Sequence, residues 1–295
     1  MALTLAEAAK LSNDLLLTGV IETIIKDSPV LQQLPFIEIT GNGLTYNREN
    51  TAPTAGFFDV GDTWSESTPT FTQVTANLKI MGGDADIDNF LLATRSNLQD
   101  LEAAVVLLKA KAVRQLFEQT FISGDSAVNA KEFDGIDKLT PGGQTLSMGV
   151  NGGSLTLDKL DELIDLVKGG KPDMLLMSRR SRRSVTKLAR TSGSFLEAER
   201  DEFGQMLQFY DGIPLGVSDY ISDAQTVGTS TDCSTIYALQ FGEGALSGLT
   251  APGGLQVERV GSLETKDASR VRIKWYASMA LFNTVKLAKL TDVRP

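Results

Sequence analysis

The spacing of hydrophobic and polar positions changes character several times along the chain. Residues 3–26 place Leu5, Ala8, Ala9, Leu11, Leu15, Leu16, Val20, Ile21 and Ile24 at helical intervals. Gly19 interrupts the stripe and Ser28-Pro29 ends it. An amphipathic helix in this position either folds back on its own core or docks on another chain. Residues 34–48 predict one or two strands around Gly41-Asn42-Gly43, the second running from Leu44 to Arg48. From Asn50 to Thr72 the periodicity disappears. Pro53, Gly56, Gly61 and Pro69 punctuate a segment carrying Phe57, Phe58, Trp64 and Phe71. Structureless excursions longer than ~12–15 residues are uncommon in compact domains and usually serve a function. Aromatic side chains on such a segment need a cover, from their own fold or from a neighbour.

The chain returns through a strand at Val74 to Met81 and the run Gly82-Gly83-Asp84-Ala85-Asp86-Ile87-Asp88. A long helix follows, beginning near Asp88 or Thr94 and ending at Ile122, with Leu98, Leu101, Val105, Leu108, Ala112, Leu116 and Phe117 as its apolar stripe. From Thr94 it would extend ~43 Å. Asp100 and Glu102 near its start and Lys109, Lys111 and Arg114 further along suit the helix dipole. A glycine-rich stretch, Pro141 to Gly153, reads as a junction. Beyond it the pattern predicts a helix over Leu157–Val167 capped by Thr156 or Ser154, a buried strand at Met174–Met177, and a helix over Arg179–Arg190 capped by Ser178. A polar loop with aromatics then spans 191–212, followed by a strand at Ile213–Val217, a loop over 218–232 and a strand at Thr235–Phe241. Leu255–Val260 is another strand. Ser269–Tyr276 alternates, with Val271, Ile273 and Trp275 on one face and Arg270, Arg272 and Lys274 on the other. Ala280–Leu290 supplies the last strand or two.

Composition narrows the chemistry. A chain of 295 residues can bury a substantial core. Its net charge of -9 opposes nonspecific nucleic-acid binding over most of the surface. There is no histidine, which removes Ser-His-Asp and Cys-His mechanisms and the commonest metal ligand. The single cysteine, Cys233, excludes an intrachain disulfide and suits a reducing cytosol. No apolar run approaches the ~20 residues that span a bilayer. Met1 to Lys10 lacks the basic start of a secretory signal. No membrane association is expected.

Individual motifs fail as catalytic or metal sites. Asp84, Asp86 and Asp88 resemble the start of a calcium loop, but Asn89 stands where the turn needs glycine and Arg95 where a glutamate should close it. They read instead as carboxylates on the exposed face of a strand. Ser126 lacks the final glycine of a nucleophile elbow. Ser184-Val185-Thr186-Lys187 has no Lys-Thr-Gly partner. Gly242-Glu243-Gly244 has the wrong spacing for a dinucleotide fingerprint. The predictions are therefore no catalytic residue, no cofactor and no metal. Arg179, Arg180, Arg182 and Arg183 crowd a helix start against the dipole, so an anionic group should compensate them. Acids on the same or a neighbouring subunit, in a salt-bridge site between elements, fit this better than nucleic-acid phosphate in so acidic a chain.

Several segments, in order, carry a resemblance. They are Ser28-Pro29-Val30-Leu31 with Leu34-Pro35-Phe36, Tyr46-Asn47-Arg48-Glu49, Leu78 to Asp88 before the long helix, and Ser123-Gly124-Asp125 through Phe133-Asp134-Gly135-Ile136. Tyr210-Asp211-Gly212-Ile213-Pro214-Leu215 and the strand Arg270–Tyr276 complete the set. Over nearly the whole chain this resembles the major capsid proteins of tailed bacteriophages, with the Hong Kong 97 phage coat fold. The resemblance implies an α+β architecture. Residues 1–30 would be an N-terminal arm. Residues 31–149 and 251–295 would form a peripheral P-domain with an extended E-loop at about 47–78 and a spine helix at about 94–122. Residues 150–250 would form an axial α/β A-domain, with the C-terminal strands rejoining the P-domain sheet.

The implied function is a major head protein that self-assembles through pentamers and hexamers into an icosahedral shell around double-stranded DNA, held without sequence-specific contacts. The expected partners are further copies of itself, a separate scaffolding protein, a portal protein and a decoration protein. The expected location is the virion, after assembly in the bacterial cytoplasm. Subunit-interface candidates are Leu5, Leu11 and Leu15 on the arm and Phe57, Phe58, Trp64 and Phe71 on the E-loop. The others are Arg179, Arg180, Arg182 and Arg183, Phe195 and Phe203 in the axial loops, and Arg270, Arg272 and Lys274. The family's founding member cross-links through an E-loop lysine. Asn50 to Thr72 contains no lysine, so noncovalent contacts alone should hold this shell. Within the same fold the alternative is an encapsulin-type nanocompartment shell. From other classes the alternatives are a histidine-free α/β enzyme built on 150–250 and a phage accessory protein.

Overall fold

The computed structural model describes residues 28–51, 53–90, 101–192, 197–200 and 206–294. The predicted N-terminal helix, with Leu5, Leu11 and Leu15, lies outside them, as do Phe195, Phe203 and the beginning of the predicted long helix. The first described element is α1 (Pro29–Gln33), where Ser28 caps the helix through its side chain and Pro29 occupies the first turn. Strand β1 (Phe36–Glu38) follows, then β2 (Gly43–Thr51), β3 (Thr70–Asn77) and β4 (Lys79–Asp88). The single strand expected at Val74–Met81 is thus two, divided at Leu78, whose amide donates to the Asn42 carbonyl at 2.9 Å. The long helix is α2 (Leu101–Ser123), followed by the short α3 (Ile136–Leu139).

The rest of the chain is α/β in its first half and β in its second. In order come β5 (Thr145–Ser147), β6 (Gly153–Ser154), α4 (Leu157–Leu166), β7 (Met174–Met177) and α5 (Arg179–Thr191). They are followed by β8 (Glu197–Arg200), β9 (Met206–Tyr210), β10 (Ile213–Val217), β11 (Gln225–Val227), β12 (Ser230–Leu239), β13 (Leu246–Ser262), β14 (Ala268–Leu281) and β15 (Leu287–Arg294). Both helix caps match expectation: Thr156 accepts from the Lys159 amide and Ser178 from the Ser181 amide. Two expected loops contain strands. The segment 191–212 holds the hairpin β8–β9, and 218–232 holds β11 and the start of β12. The sequence Glu197-Ala198-Glu199-Arg200 has no apolar alternation, so nothing in it signalled a strand.

Two sheets organise the body. One is four-stranded, ordered β1-β13-β14-β4, and α2 packs on β4 and β14. The alternation of β14 buries Val271, Ile273 and Trp275, as expected. The Trp275 ring stacks on Phe117 of α2 at 5.0 Å and tilts against Phe36 at 5.4 Å. β1 runs parallel to β13 and does not pair with β2. The second sheet follows β5-β15-β12-β7-β10-β9-β8. Its central strand β7 is buried along its whole length. Leu175 and Met177 pack with Leu160, Leu163, Ile164 and Val185, so α4 and α5 share one face. Met174 and Leu176 join the core around α2. Chain-terminal β15 pairs with β12 rather than with the four-stranded sheet, which β14 rejoins.

The long helix faces the core differently from the expectation. Val106, Ala110, Val113, Phe117 and Phe121 are buried, whereas Leu108 is 68% exposed and Leu116 is 42% exposed. Apolar residues occupy most of the circumference of α2, so spacing alone does not choose a face. Past its end, Gly124 and Gly135 let two backbone segments meet. The Gly135 amide donates to the Gly124 carbonyl at 2.8 Å, and a Cβ on Gly124 would stand 2.3 Å from the Phe133 carbonyl oxygen. This crossing accounts for glycine in both parts of the Ser123-Gly124-Asp125 and Phe133-Asp134-Gly135-Ile136 pair.

Candidate assembly surface

The hairpin β2–β3 is a two-stranded sheet by itself, paired from Gly43 with Asn77 to Thr51 with Thr70. Its base is held firmly. The Tyr46 hydroxyl donates to the Leu281 carbonyl at 2.9 Å, and Arg48 donates to the same oxygen through Nε, at 3.0 Å, and Nη2. The Tyr46 ring lies 4.8 Å from Phe282. Leu44, Ala76 and Leu78 pack around Ile39, Leu249 and Ala280. Further out this support ends. Between residues 49 and 73 every described residue is exposed except Phe58 and Ser67, which are half-buried. Phe58 stacks on Trp64 at 4.5 Å, and Ser67 accepts from the Thr54 amide at 3.0 Å. Phe57 and Val60 are fully exposed, Trp64 is 77% exposed and Phe71 is 66% exposed. Fully burying one such side chain is worth about 1.5–3 kcal/mol.

On the four-stranded sheet, two ladders of opposite charge meet. Arg272 forms a two-pronged bond with Asp84 at 2.7 and 2.9 Å, and Arg270 does the same with Asp86 at 2.6 and 2.8 Å. Lys266 adds a second cation to Asp86 at 2.6 Å, and Lys274 pairs with Glu258 at 2.7 Å. The hydrogen bond from Arg272 holds the Asp84 carboxyl below its ordinary range, and those from Arg270 and Lys266 do so strongly for Asp86. The charges of Arg270, Arg272 and Lys274 are therefore engaged within the chain. Asp84 and Asp86 face arginines, a setting that repels a metal cation, while Asp88 accepts from the Phe90 amide at 2.8 Å. Among the described residues no cluster of acids, cysteine and histidine could hold a metal ion.

The arginine cluster divides. Arg179 pairs with Asp219, and Arg180 donates to the Asp232 carbonyl at 2.6 Å and lies 3.4 Å from Asp223. Arg182, Arg183, Lys187 and Arg190 line a groove of about 670 Å³ beside Gln208 of β9, which Arg180 also borders. The structure thus brings the four arginines of the cluster to one end of α5, pairs Arg179 and Arg180 with acids, and places Arg180, Arg182 and Arg183 along one groove.

The serine motifs are structural. Lys138 Nζ sits 2.5 Å from Asp125, 2.9 Å from Asp134 and 3.3 Å from Ser126 Oγ, tying the turn after α2 together. The hydrogen bonds that Lys138 donates to Asp125 and then Asp134 raise its pKa, so this ammonium keeps its proton and cannot activate the serine. Ser184 donates to the Arg180 carbonyl at 3.4 Å. Cys233 is buried, and burial pushes its thiol up, away from thiolate reactivity.

The hairpin is thus anchored at its base and carries an apolar tip that the described residues of its own chain leave exposed. The model of the phage capsid family matches residues 11–283. The chain belongs to the phage capsid family. Its fold is similar to the encapsulin in the holo-SrpI complex of Synechococcus elongatus, with a TM-score of 0.72, 19% identity and coverage of 90% of this chain and 87% of that one. The capsid of the native GTA particle gives a TM-score of 0.66 at 16% identity, covering 92% and 90%. Microbacterium phage Oxtober96 gives 0.64 at 14% identity, covering 91% of each chain. No curated protein sequence matches it.

This phage capsid family member therefore has the α+β Hong Kong 97-like fold implied by its motifs. It is a structural shell protein of the capsid that associates with copies of itself, not an enzyme. Sequence reasoning missed the uncovered leucines of α2 and the anchoring role of Tyr46 and Arg48. It noted the acids of β4 and the bases of β14 separately. Their matching alternation, Asp84 and Asp86 against Arg270 and Arg272, was the signal that could have paired them.

Proposed function

We propose that the chain is a major head protein that closes, through pentamers and hexamers, into an icosahedral shell enclosing phage double-stranded DNA. The observation that carries this reading is the hairpin, fixed at its base by Tyr46 and Arg48 and bare at its tip. In this reading the tip lies over a neighbouring subunit and buries Phe57, Trp64 and Phe71 there. Residues 1–30 act as the arm, 31–149 with 251–295 as the peripheral domain, and 150–250 as the axial domain. β15 crosses that boundary to pair with β12. A separate scaffolding protein, a portal and a decoration protein are the proposed partners, with DNA held without sequence preference. Many modest contacts repeated around closed symmetry give such a shell its stability.

The test is size-exclusion chromatography followed by negative-stain electron microscopy of the protein produced alone and with candidate scaffolding proteins. Closed shells or capsomers are expected, and a monomer under all conditions overturns the reading. A second reading, an encapsulin-type shell, is favoured by the similarity to the Synechococcus elongatus encapsulin. The absorbance ratio of shells from the native source separates the two, since DNA-filled heads absorb as nucleic acid and protein-filled compartments do not.

A further inference from the structure

Helices α4 and α5 lie on one face of the second sheet and present opposite charge to solvent. The exposed positions of α4 are Asp158, Asp161, Glu162 and Asp165, and its only cation, Lys159, is spent on Glu162 at 2.5 Å. The groove on α5 gathers Arg182, Arg183, Lys187 and Arg190. No ion pair engages these four cations among the described residues, in contrast to Arg179 and Arg180. Arg182 Nε is in addition buried with no hydrogen-bond partner among those residues. Four cations without ion pairs gathered in one groove repel one another, and an acidic surface docked there relieves that repulsion. Asp158 and Asp165 likewise have no ion pair among the described residues.

Resting on the shell reading, we infer that the basic groove of α5 receives the acidic face of α4 from a second copy of this chain. Each copy carries both halves, so identical subunits can satisfy one another, as a repeating assembly requires. Matched fields also raise the encounter rate and penalise wrong registers. The net charge of -9 weighs against a polyanion as the occupant, because the rest of the surface repels it.

Charge reversal tests this. The variants are Arg183→Glu/Lys187→Glu on α5 and Glu162→Lys/Asp165→Lys on α4, all at solvent-facing positions. Assembly is read by chromatography and microscopy at low and physiological salt, and folding of the unassembled subunit by circular dichroism. Each variant alone should stay folded and lose assembly roughly tenfold or more, and mixing the two should restore mixed assemblies. Wild-type assembly with both variants assembling normally overturns this inference while leaving the shell reading intact. The same holds if the α5 variant assembles normally and loses only binding to a duplex DNA probe, or if the mixture fails to rescue. A wild type that never assembles overturns the shell reading and this inference with it.

Discussion

The base and the tip of the hairpin are built from similar residues and meet opposite fates. At the base, Tyr46 and Arg48 converge on one carbonyl and the ring of Phe282 covers Tyr46. At the tip, Phe57, Trp64 and Phe71 are as apolar as any core residue, yet only Phe58 offers Trp64 a partner. Side-chain chemistry is thus no guide to where a residue is satisfied. What differs is reach: past residue 49 the two strands have left every other element behind. The base belongs to the folding of the subunit and, in the proposed shell, the tip to its association.

Breaking this contrast begins in the core. Trp275→Ala removes the ring between Phe36 and Phe117 and should cost ~3–5 kcal/mol of subunit stability, measured by urea unfolding. At the base, Arg48→Ala removes charged hydrogen bonds to the Leu281 carbonyl and should cost about 1.5–3 kcal/mol in the same measurement. At the tip, Phe57→Ser with Trp64→Ser should leave unfolding within about 0.5 kcal/mol of wild type while abolishing assembly by electron microscopy. Equal destabilisation at base and tip would erase the distinction. On α2, Leu108→Asn should likewise spare the subunit, because that side chain faces solvent.

The smallest effect concerns pH. Asp84 and Asp86 have carboxyl pKa values held below the ordinary one by Arg272 and by Arg270 with Lys266. For a depressed carboxylate, stability is fully present above the unfolded value, about 4, and is lost as pH falls through the folded value. Subunit stability should therefore decline below about pH 4, and Asp86→Asn should flatten that acid limb. These side chains are partly solvated, so added salt should shrink the difference. An acid limb unchanged in Asp86→Asn would show that the ladder contributes nothing to it.

Much of this was legible in the sequence because local rules and burial agreed. Ser178 and Thr156 are good caps and cap their helices; Val271, Ile273 and Trp275 alternate and are buried. Legibility failed where a choice depends on the third dimension. The face of α2 was set by Phe36 and Trp275 arriving from distant parts of the chain, against a helix that is apolar nearly all round. β8 was invisible because Glu197-Ala198-Glu199-Arg200 shows no apolar alternation. The aromatics at 50–72 were readable as needing a cover, from their own fold or from a neighbour, and it was the family resemblance that favoured a neighbour. In the proposed shell the surface that covers them belongs to another copy, a geometry that no single chain contains.

The most direct measurement uses the chain's two tryptophans. Trp275 is buried and Trp64 is not, so Trp275→Phe leaves Trp64 as the only reporter. Acrylamide quenching of its fluorescence should be strong in unassembled subunits and fall severalfold in assembled shells. Equal quenching in both states would contradict the claim that a neighbouring subunit covers the tip.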